Sequence, residues 1–386
     1  MNKKIKVLHC IESIHSGGVE KTREIFARLY DKNKYELKIV CTRATGPIVD
    51  SLKEEGVELI EIGILDKVWR FSRYKAVLKV ISGYKPHIIH GAVFEGVLLA
   101  SIAGYIGRVP AIVLEETSDP QNRTKKATYL LKLLSGLSDK VIGVSPAVYS
   151  YLKDVANIKE SKLRLINNGI YPPVQISKDS VQSLKDTLGI QDDDIIIGSV
   201  GRLRNFHKLF TDLIDALSIL HKSNPRIKVL IVGDGPDREE IEQHILNKGL
   251  SDHVIIAGFQ PDPHPFFEIM DIFAIVSHME AFGLVAVEAM FHKLPVIATN
   301  VGGLKDVVLH NETGLLVEAH HPEQIANAIN TLLSNRQLMV EMGERGFARA
   351  NNQFSAGRYV EELENLYSDL IAKKGIELPA VSKAFK

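Results

Sequence analysis

Short β-branched runs alternate with longer stretches of helical period along nearly the whole 386-residue chain, and the alternation stops once and starts again. IKVLHC, ELKIVC, VELIEI, HIIH, AIVLE, KVIGVS and LRLIN follow one another before residue 170, each spaced by enough chain for a helix or a loop. Strands that alternate with helices read as a parallel sheet covered on both faces. In the first helical stretch Val19, Thr22, Ile25, Phe26 and Leu29 recur at three- and four-residue steps, which predicts one buried face. At NNGIYPPV the residues Gly169, Pro172 and Pro173 break the pattern. DIIIGSVG, KVLIVG, VIIAG, DIFAIVS, PVIAT and TGLLVE then repeat it. The expected fold is α/β, with two Rossmann-like parallel-sheet domains over residues 1–172 and 173–354, and a final helix over 355–375 packing back on the first. Two such domains facing one another leave a cleft at the carboxyl ends of both sheets, where folds of this kind bind ligands.

Composition agrees: 45% apolar and 24% charged residues suit two globular cores. The formal net charge of zero hides an asymmetry. Residues 1–170 hold 27 Lys and Arg against 18 Asp and Glu, and the remainder holds 20 against 29. The N-terminal half is therefore the one suited to an anionic partner. Nucleic acid is not expected, because no segment reads as a base-reading helix. Cys10 and Cys41 each lie in a strand-like run and read as buried free thiols, in keeping with a reducing cytoplasm. MNKKIKVLHCIES has too short an apolar stretch for a secretory signal. A low-charge segment such as Gly96 to Gly107 falls short of the ~18 to 20 residues that span a bilayer. A cytoplasmic location follows as an expectation, extending to the inner face of the membrane.

Three segments carry candidate chemistry. SHMEAFGLVAVEAMFHKLPVIAT runs from a strand end through Glu280, Ala281, Phe282 and Gly283 into a helix with Glu288, eight positions after Glu280. Backbone N–H groups at Gly283, Leu284 and Val285 would meet a diphosphate at the helix start, where the dipole favours negative charge. Carboxylates accept hydrogen bonds from diols, which suits Glu280 to a sugar and Glu288, about two turns further in, to a ribose. The alternative is a capping Glu280 and a solvated Glu288. In GSVGRLRNFHKLF, Arg202 follows a strand-end glycine and Lys208 comes six residues later, a cationic clamp for a leaving diphosphate, though surface lysines are common. Gly17 and Gly18 in HSGGVEKT permit close approach of a phosphate or an acceptor, and a plain tight turn explains them equally well. VGDGPDREE fails as a dinucleotide fingerprint, because the third glycine would fall at Arg238. Asp192, Asp193 and Asp194 sit in a polar turn and are not expected to bind a metal.

Taken together, these segments resemble family 4 of the retaining glycosyltransferases, of bacterial cell-surface polysaccharide type. The resemblance rests on GGVE, NNGI, GR with a lysine six on, VGDGP, EAFGLVAVEAM and PVIATNVGGL, in the family's order. It implies the GT-B fold and transfer of a sugar, with retention, from a nucleotide-diphosphate sugar without an obligatory metal. A UDP-sugar is favoured, with a GDP-sugar as the alternative. It also implies Arg202 and Lys208 on the diphosphate, Glu280 on the donor sugar, Glu288 on the ribose, and the amides around Phe282, Gly283, Leu284 and Val285 on the phosphates. Where many members carry a histidine after the fifth strand, this chain has VLEETSDP, and Glu116 takes the equivalent place as an acceptor-side candidate. His90, ending HIIH, is a second candidate, weighed against a structural role.

The implied acceptor is a glycan or a lipid-linked glycan, met by the N-terminal domain. Arg70, Arg73, Lys75 and Lys79 are set there among Trp69, Phe71, Tyr74 and Val77, with a second cluster at Arg123, Lys125 and Lys126. Basic residues mixed with aromatics suit peripheral contact with an anionic membrane, and a solvated helix face is the bland counterpart. A GT-B sugar-nucleotide epimerase and a non-enzymatic solute-binding module are the rival functions.

Overall fold

The computed structural model describes residues 4–65, 67–119 and 123–376. The chain forms two compact units, one of Met1–Gly169 rejoined by the segment from Ala356, the other of Ile170–Ser355. In the first unit seven parallel strands, β1 (Ile5–Ile14), β2 (Tyr35–Ala44), β3 (Glu58–Glu61), β4 (Ile88–Ala92), β5 (Ala111–Glu116), β6 (Lys140–Gly143) and β7 (Leu163–Leu165), lie in the order 3-2-1-4-5-6-7. Between them run α1 (Gly18–Leu29), α2 (Pro47–Glu54), α3 (Phe71–Tyr84), α4 (Val93–Ile106) and α5 (Lys125–Gly136). The second unit has six parallel strands, β8 (Ile195–Val200), β9 (Ile227–Val232), β10 (Val254–Ile256), β11 (Ile272–Ile275), β12 (Val296–Thr299) and β13 (Gly314–Val317), in the order 10-9-8-11-12-13. Both sheets are the doubly wound kind that the alternation predicts, and each of the thirteen strands overlaps one of the apolar runs. The central strands are buried on both faces, which is why they read as continuous rather than alternating apolar runs.

One helix face differs from its expected composition. Leu29 is exposed at the end of α1, and the buried set is Thr22, Arg23, Ile25, Phe26 and Ala27. The face is turned toward Arg23 because that guanidinium has a buried partner, Glu115 on β5.

The last described helix, Ala356–Lys373, belongs to the first unit and packs on α1. It buries Tyr359, Val360, Leu363, Leu366, Tyr367, Leu370 and Ile371, at roughly 1.5–3 kcal/mol for each fully buried large apolar side chain. The NNGI segment anchors its start, for Arg358 Nη2 donates to the Asn167 carbonyl at 2.6 Å. Cys10 and Cys41 are free and buried, and burial raises both thiols above their ordinary value. Among the described residues no helix is long and apolar enough to cross a membrane.

Candidate active site

The second unit gathers its chemistry at the ends of β8 and β11. β8 gives way at Gly201 to a loop whose course is fixed by the glycines of VGDGP: a Cβ on Gly233 would lie 1.9 Å from the Gly201 carbonyl oxygen, and one on Gly235 would lie 2.4 Å from that of Leu203. Those glycines therefore serve close backbone packing. Asp237 continues the brace by accepting the Asn205 amide at 2.7 Å. Arg202 stands exposed on the loop so formed. A single helical turn, Asn205–Lys208, follows and leaves through Leu209 in the left-handed region, φ 43°. A leucine there is strained, and burial of its side chain helps hold it in place. The turn carries Lys208 back over Gly201, with its Cε 3.8 Å from where a Cβ would stand.

Lys208 Nζ lies 2.5 Å from Glu280 Oε2, so the two sequence segments meet. Both side chains keep about a fifth of their surface exposed, 23% and 20%. Glu280 sits beyond β11 on a loop tied down on two sides. Thr299 Oγ1 accepts the Ser277 amide at 2.9 Å and donates to the Ser277 carbonyl at 2.7 Å. The Gly303 amide donates to the Glu280 carbonyl at 2.8 Å, and a Cβ on Gly303 would strike the Ala281 carbonyl oxygen at 2.3 Å. The VGGL motif is thus the support of the EAFG loop. Gly283 opens the next helix, Leu284–Phe291, at φ 97°. Its left-handed conformation and the 2.4 Å approach of Leu304 Cδ2 to a Cβ both select glycine.

Two details of this helix differ from the sequence expectation. Helix geometry begins only at Leu284, so Glu288 stands about one turn into the helix rather than two, and its burial excludes the solvated alternative. The Phe282 ring is buried against Phe354, edge to face at 5.5 Å, so that residue offers a ligand its backbone and not its ring. Gly283, Leu284 and Val285 do stand at the helix start, where a first turn lacks intrahelical acceptors for its amides. Sequence reasoning missed three histidines, His207 and His278 beside Lys208 and Glu280 in the chain and His320 against His278. The His278 amide donates to the His207 carbonyl at 2.9 Å, and His278 Nδ1 lies 3.1 Å from His320 Nε2. Their signal was the position of His207 and His278 one and two residues from Lys208 and Glu280.

The three aspartates of the polar turn go to three different cations: Asp192 to Lys185 at 3.9 Å, Asp193 to Arg226 at 2.8 Å and Asp194 to Lys228 at 2.6 Å.

The candidates of the first unit are placed differently. Gly17 and Gly18 are exposed at the start of α1, but the α1 carboxylate Glu20 folds back over Gly17, where a Cβ would meet its Oε2 at 2.3 Å. Burial raises the Glu20 carboxyl, as does Glu12 nearby. A phosphate would compete there with a resident carboxylate. Glu116 is buried and clasped by Arg123 Nη2 at 2.7 and 2.5 Å, and its Oε1 also accepts the Ser118 amide at 2.9 Å. Arg123 therefore leaves the basic cluster to which its sequence neighbours assign it, and lies over the Phe94 ring at 5.7 Å. Pro120, which ends VLEETSDP, lies outside the described residues.

His90 is wholly buried in a polar network absent from the sequence expectation. Its Nδ1 lies 2.6 Å from the Tyr367 hydroxyl and its Nε2 3.0 Å from Glu115 Oε2, while Tyr367 also meets His9 Nε2 at 3.0 Å and Arg23 pairs with Glu115. Burial raises the Glu115 carboxyl, but Arg23 and His90 outweigh it and hold the group at about 2. Burial lowers both His9 and His90 below the ordinary imidazole value; Arg23 adds to this at His9, and at His90 burial and Arg23 outweigh the raising effect of Glu115. The one sign of this network in the sequence is a charged residue, Arg23, on the apolar stripe of α1.

Comparison with known proteins agrees with the fold. The profile described as Glycosyl transferases group 1 matches residues 180–349, and that described as Glycosyltransferase Family 4 matches residues 16–172. The capsular polysaccharide biosynthesis glycosyltransferase CapM of Staphylococcus aureus is 27% identical over 313 residues, 78% of this chain and 82% of CapM. The N-acetyl-alpha-D-glucosaminyl L-malate synthase of Bacillus anthracis is 30% identical over 235 residues, 61% of this chain and 60% of that enzyme. Among solved structures, Anabaena HepE in complex with UDP and glucose superposes with a TM-score of 0.84 at 22% identity, covering 95% of this chain and all of HepE. WaaG, a glycosyltransferase involved in lipopolysaccharide biosynthesis, superposes with a TM-score of 0.75 at 16% identity, over 94% of this chain and 99% of WaaG.

Proposed function

We propose that this chain, which belongs to the family 4 glycosyltransferases, moves a sugar with retention of configuration from a nucleotide-diphosphate sugar to a glycan or lipid-linked glycan of the cell surface. The observation that carries the reading is the Lys208–Glu280 pair, accessible and set beside a helix that starts at a left-handed glycine. A cation in that position neutralises charge growing on a departing diphosphate, and the amides from Gly283 to Val285 add the helix-start field. Arg202, on the loop that Lys208 crosses, supplies the second cation. Glu280 then exchanges Lys208 for the hydroxyls of the donor sugar, and Glu288 takes the ribose. A donor phosphate oxygen receives the acceptor proton on the face the diphosphate leaves, so neither an enzyme nucleophile nor a metal is required. UDP is the favoured carrier, because the HepE structure holds UDP.

The unit Ile170–Ser355 takes the donor in this reading, and the unit of residues 4–169 takes the acceptor, at the membrane when the acceptor is lipid-linked. Glu116 acts there by fixing Arg123 rather than by touching the acceptor. Thermal stabilisation by UDP, GDP, ADP and their sugar conjugates tests the donor half, since a ligand that binds only the folded state raises the midpoint by mass action. One nucleotide should stabilise the native chain and lose its effect in Arg202→Ala and Glu288→Ala. Stabilisation that persists in both variants would place the nucleotide elsewhere. Nucleoside diphosphate release that depends on added glycan separates a transferase from an epimerase.

A further inference from the structure

Two residues before Lys208, the Phe206 side chain is 68% exposed, although it stands on the short turn Asn205–Lys208 and not on a loose surface loop. Single exposed apolar residues are common and need no explanation by themselves. Phe206 differs in how firmly it is held and in what lies beside it.

The turn is pinned at both ends. Asn205 gives its amide to Asp237, and its Oδ1 accepts the Thr211 amide at 3.2 Å. At the other end the His207 carbonyl accepts the His278 amide, and Leu209 leaves the turn in the left-handed region. The phenyl ring meets the His207 imidazole edge to face at 5.2 Å and the His278 imidazole at 5.7 Å, tilted by 55°. Rings from two separate segments thus form one cluster, and Phe206 is its open member. Lys208 follows Phe206 by two residues and Glu280 follows His278 by two, so the cluster borders the ion pair that those two residues make.

His278 is held in its turn. Its Nδ1 lies 3.1 Å from His320 Nε2. His320 stands at φ 62°, a backbone conformation that side chains other than glycine adopt at a cost, and Asp212 Oδ2 lies 3.8 Å from its other nitrogen. A carboxylate on one side of His320 and His278 on the other fix which way His278 faces. The contact with His320 engages Nδ1, which leaves His278 Nε2 to meet a ligand, as donor or acceptor according to the tautomer.

An open aromatic face beside a few fixed polar groups suits a sugar. A pyranose chair turns several C–H bonds toward one face and its hydroxyls toward the rim. The electron-rich face of a phenyl ring attracts the first, and imidazole and carboxylate take the second. A diphosphate has no use for the phenyl ring.

We infer that Phe206 and His278 form a subsite for a pyranose ring, which lies on the phenyl face with one hydroxyl on His278 Nε2. The inference deepens the proposed function and rests on it for the origin of the sugar, since the donor's transferred sugar and the acceptor's end sugar offer the same chemistry.

Methyl α-D-glucopyranoside, its galacto isomer and methyl N-acetyl-α-D-glucosaminide are the probes, read by saturation-transfer NMR on the full chain. Irradiation of the aromatic protons should transfer to ring C–H protons of at least one of them. Phe206→Ala should weaken that glycoside roughly tenfold, and Phe206→Tyr, which keeps the aromatic face, should bind it as the native chain does. His278→Ala should weaken it roughly threefold, the share of one hydrogen bond. No transfer to any of the three, or native binding by Phe206→Ala, would overturn the inference. Competition assigns the sugar: displacement by the matching UDP-sugar but not by UDP marks the donor's sugar, and retention with the UDP-sugar bound marks the acceptor's. Displacement by UDP itself makes Phe206 a nucleobase platform and also overturns the inference. Thermal stabilisation by UDP on the same samples keeps the two proposals apart, for its absence with glycoside binding intact counts only against the donor reading.

Discussion

Both units place a glutamate at the end of a parallel strand and give it a cation, yet the two arrangements do opposite things. Glu115 and Glu116 on β5 are sealed from water with Arg23 and Arg123, whereas Glu280 beyond β11 and its partner Lys208 remain partly exposed. A sealed pair cannot change partners without leaving a bare charge in a low-dielectric interior, so it fixes the scaffold. An accessible pair can, because water or a ligand replaces either member at small cost. Strand-end position alone therefore does not identify a working carboxylate; accessibility of the pair does.

The contrast can be broken by substitution, and the largest effect falls in the first unit. Arg23→Ala leaves Glu115 buried without its partner and should lower unfolding free energy by about 3–5 kcal/mol, measured by denaturant titration. A loss below 1 kcal/mol would show that Arg23 is not required there. Lys208→Ala should do the reverse, cutting turnover roughly a hundred- to a thousandfold while leaving the thermal midpoint nearly unchanged. A destabilised Lys208→Ala with native turnover would make both pairs structural.

Tyr367→Phe sharpens the picture on a smaller scale. It removes the hydroxyl shared by His9 and His90 and should cost about 1–3 kcal/mol, since both imidazoles lose a partner in the interior. A neutral result in the same titration would show the network to be dispensable.

The pH dependence is the mildest test. His9 and His90 have folded values below the ordinary 6.5, so the stability they confer is complete above 6.5 and falls as pH drops below it. Glu115, held at about 2 against an ordinary 4.5, loses its contribution only as pH falls from 4.5 toward 2. Unfolding midpoints should decline in those two stages, and the second should vanish in Glu115→Gln. A midpoint flat from pH 7 to 5 would contradict the burial of the histidines.

Much of the fold was legible because it rests on local periodicity. Thirteen apolar runs became thirteen strands, and Gly283, Gly201 and Lys208 stand where strand-end motifs place them. Spacing also indicated that Glu280 and Glu288 share one segment, though it overcounted the helical turns between them, since the residues before Leu284 are loop. Roles that depend on a distant partner were illegible. Glu116 looked available because Arg123 lies seven positions further along the chain, and His90 looked like a cleft residue because Tyr367 is 277 positions away.

The sequence by itself determined two parallel-sheet units, the order of their strands in the chain and the segments that carry chemistry, because strand and helix periods and glycine requirements act over a few residues. Tertiary structure alone decided which charges meet: Arg23 with Glu115, Lys208 with Glu280, Arg123 with Glu116. Charge interactions act through space and depend on how much water is excluded, and neither distance nor exclusion is written in the spacing of residues along a chain.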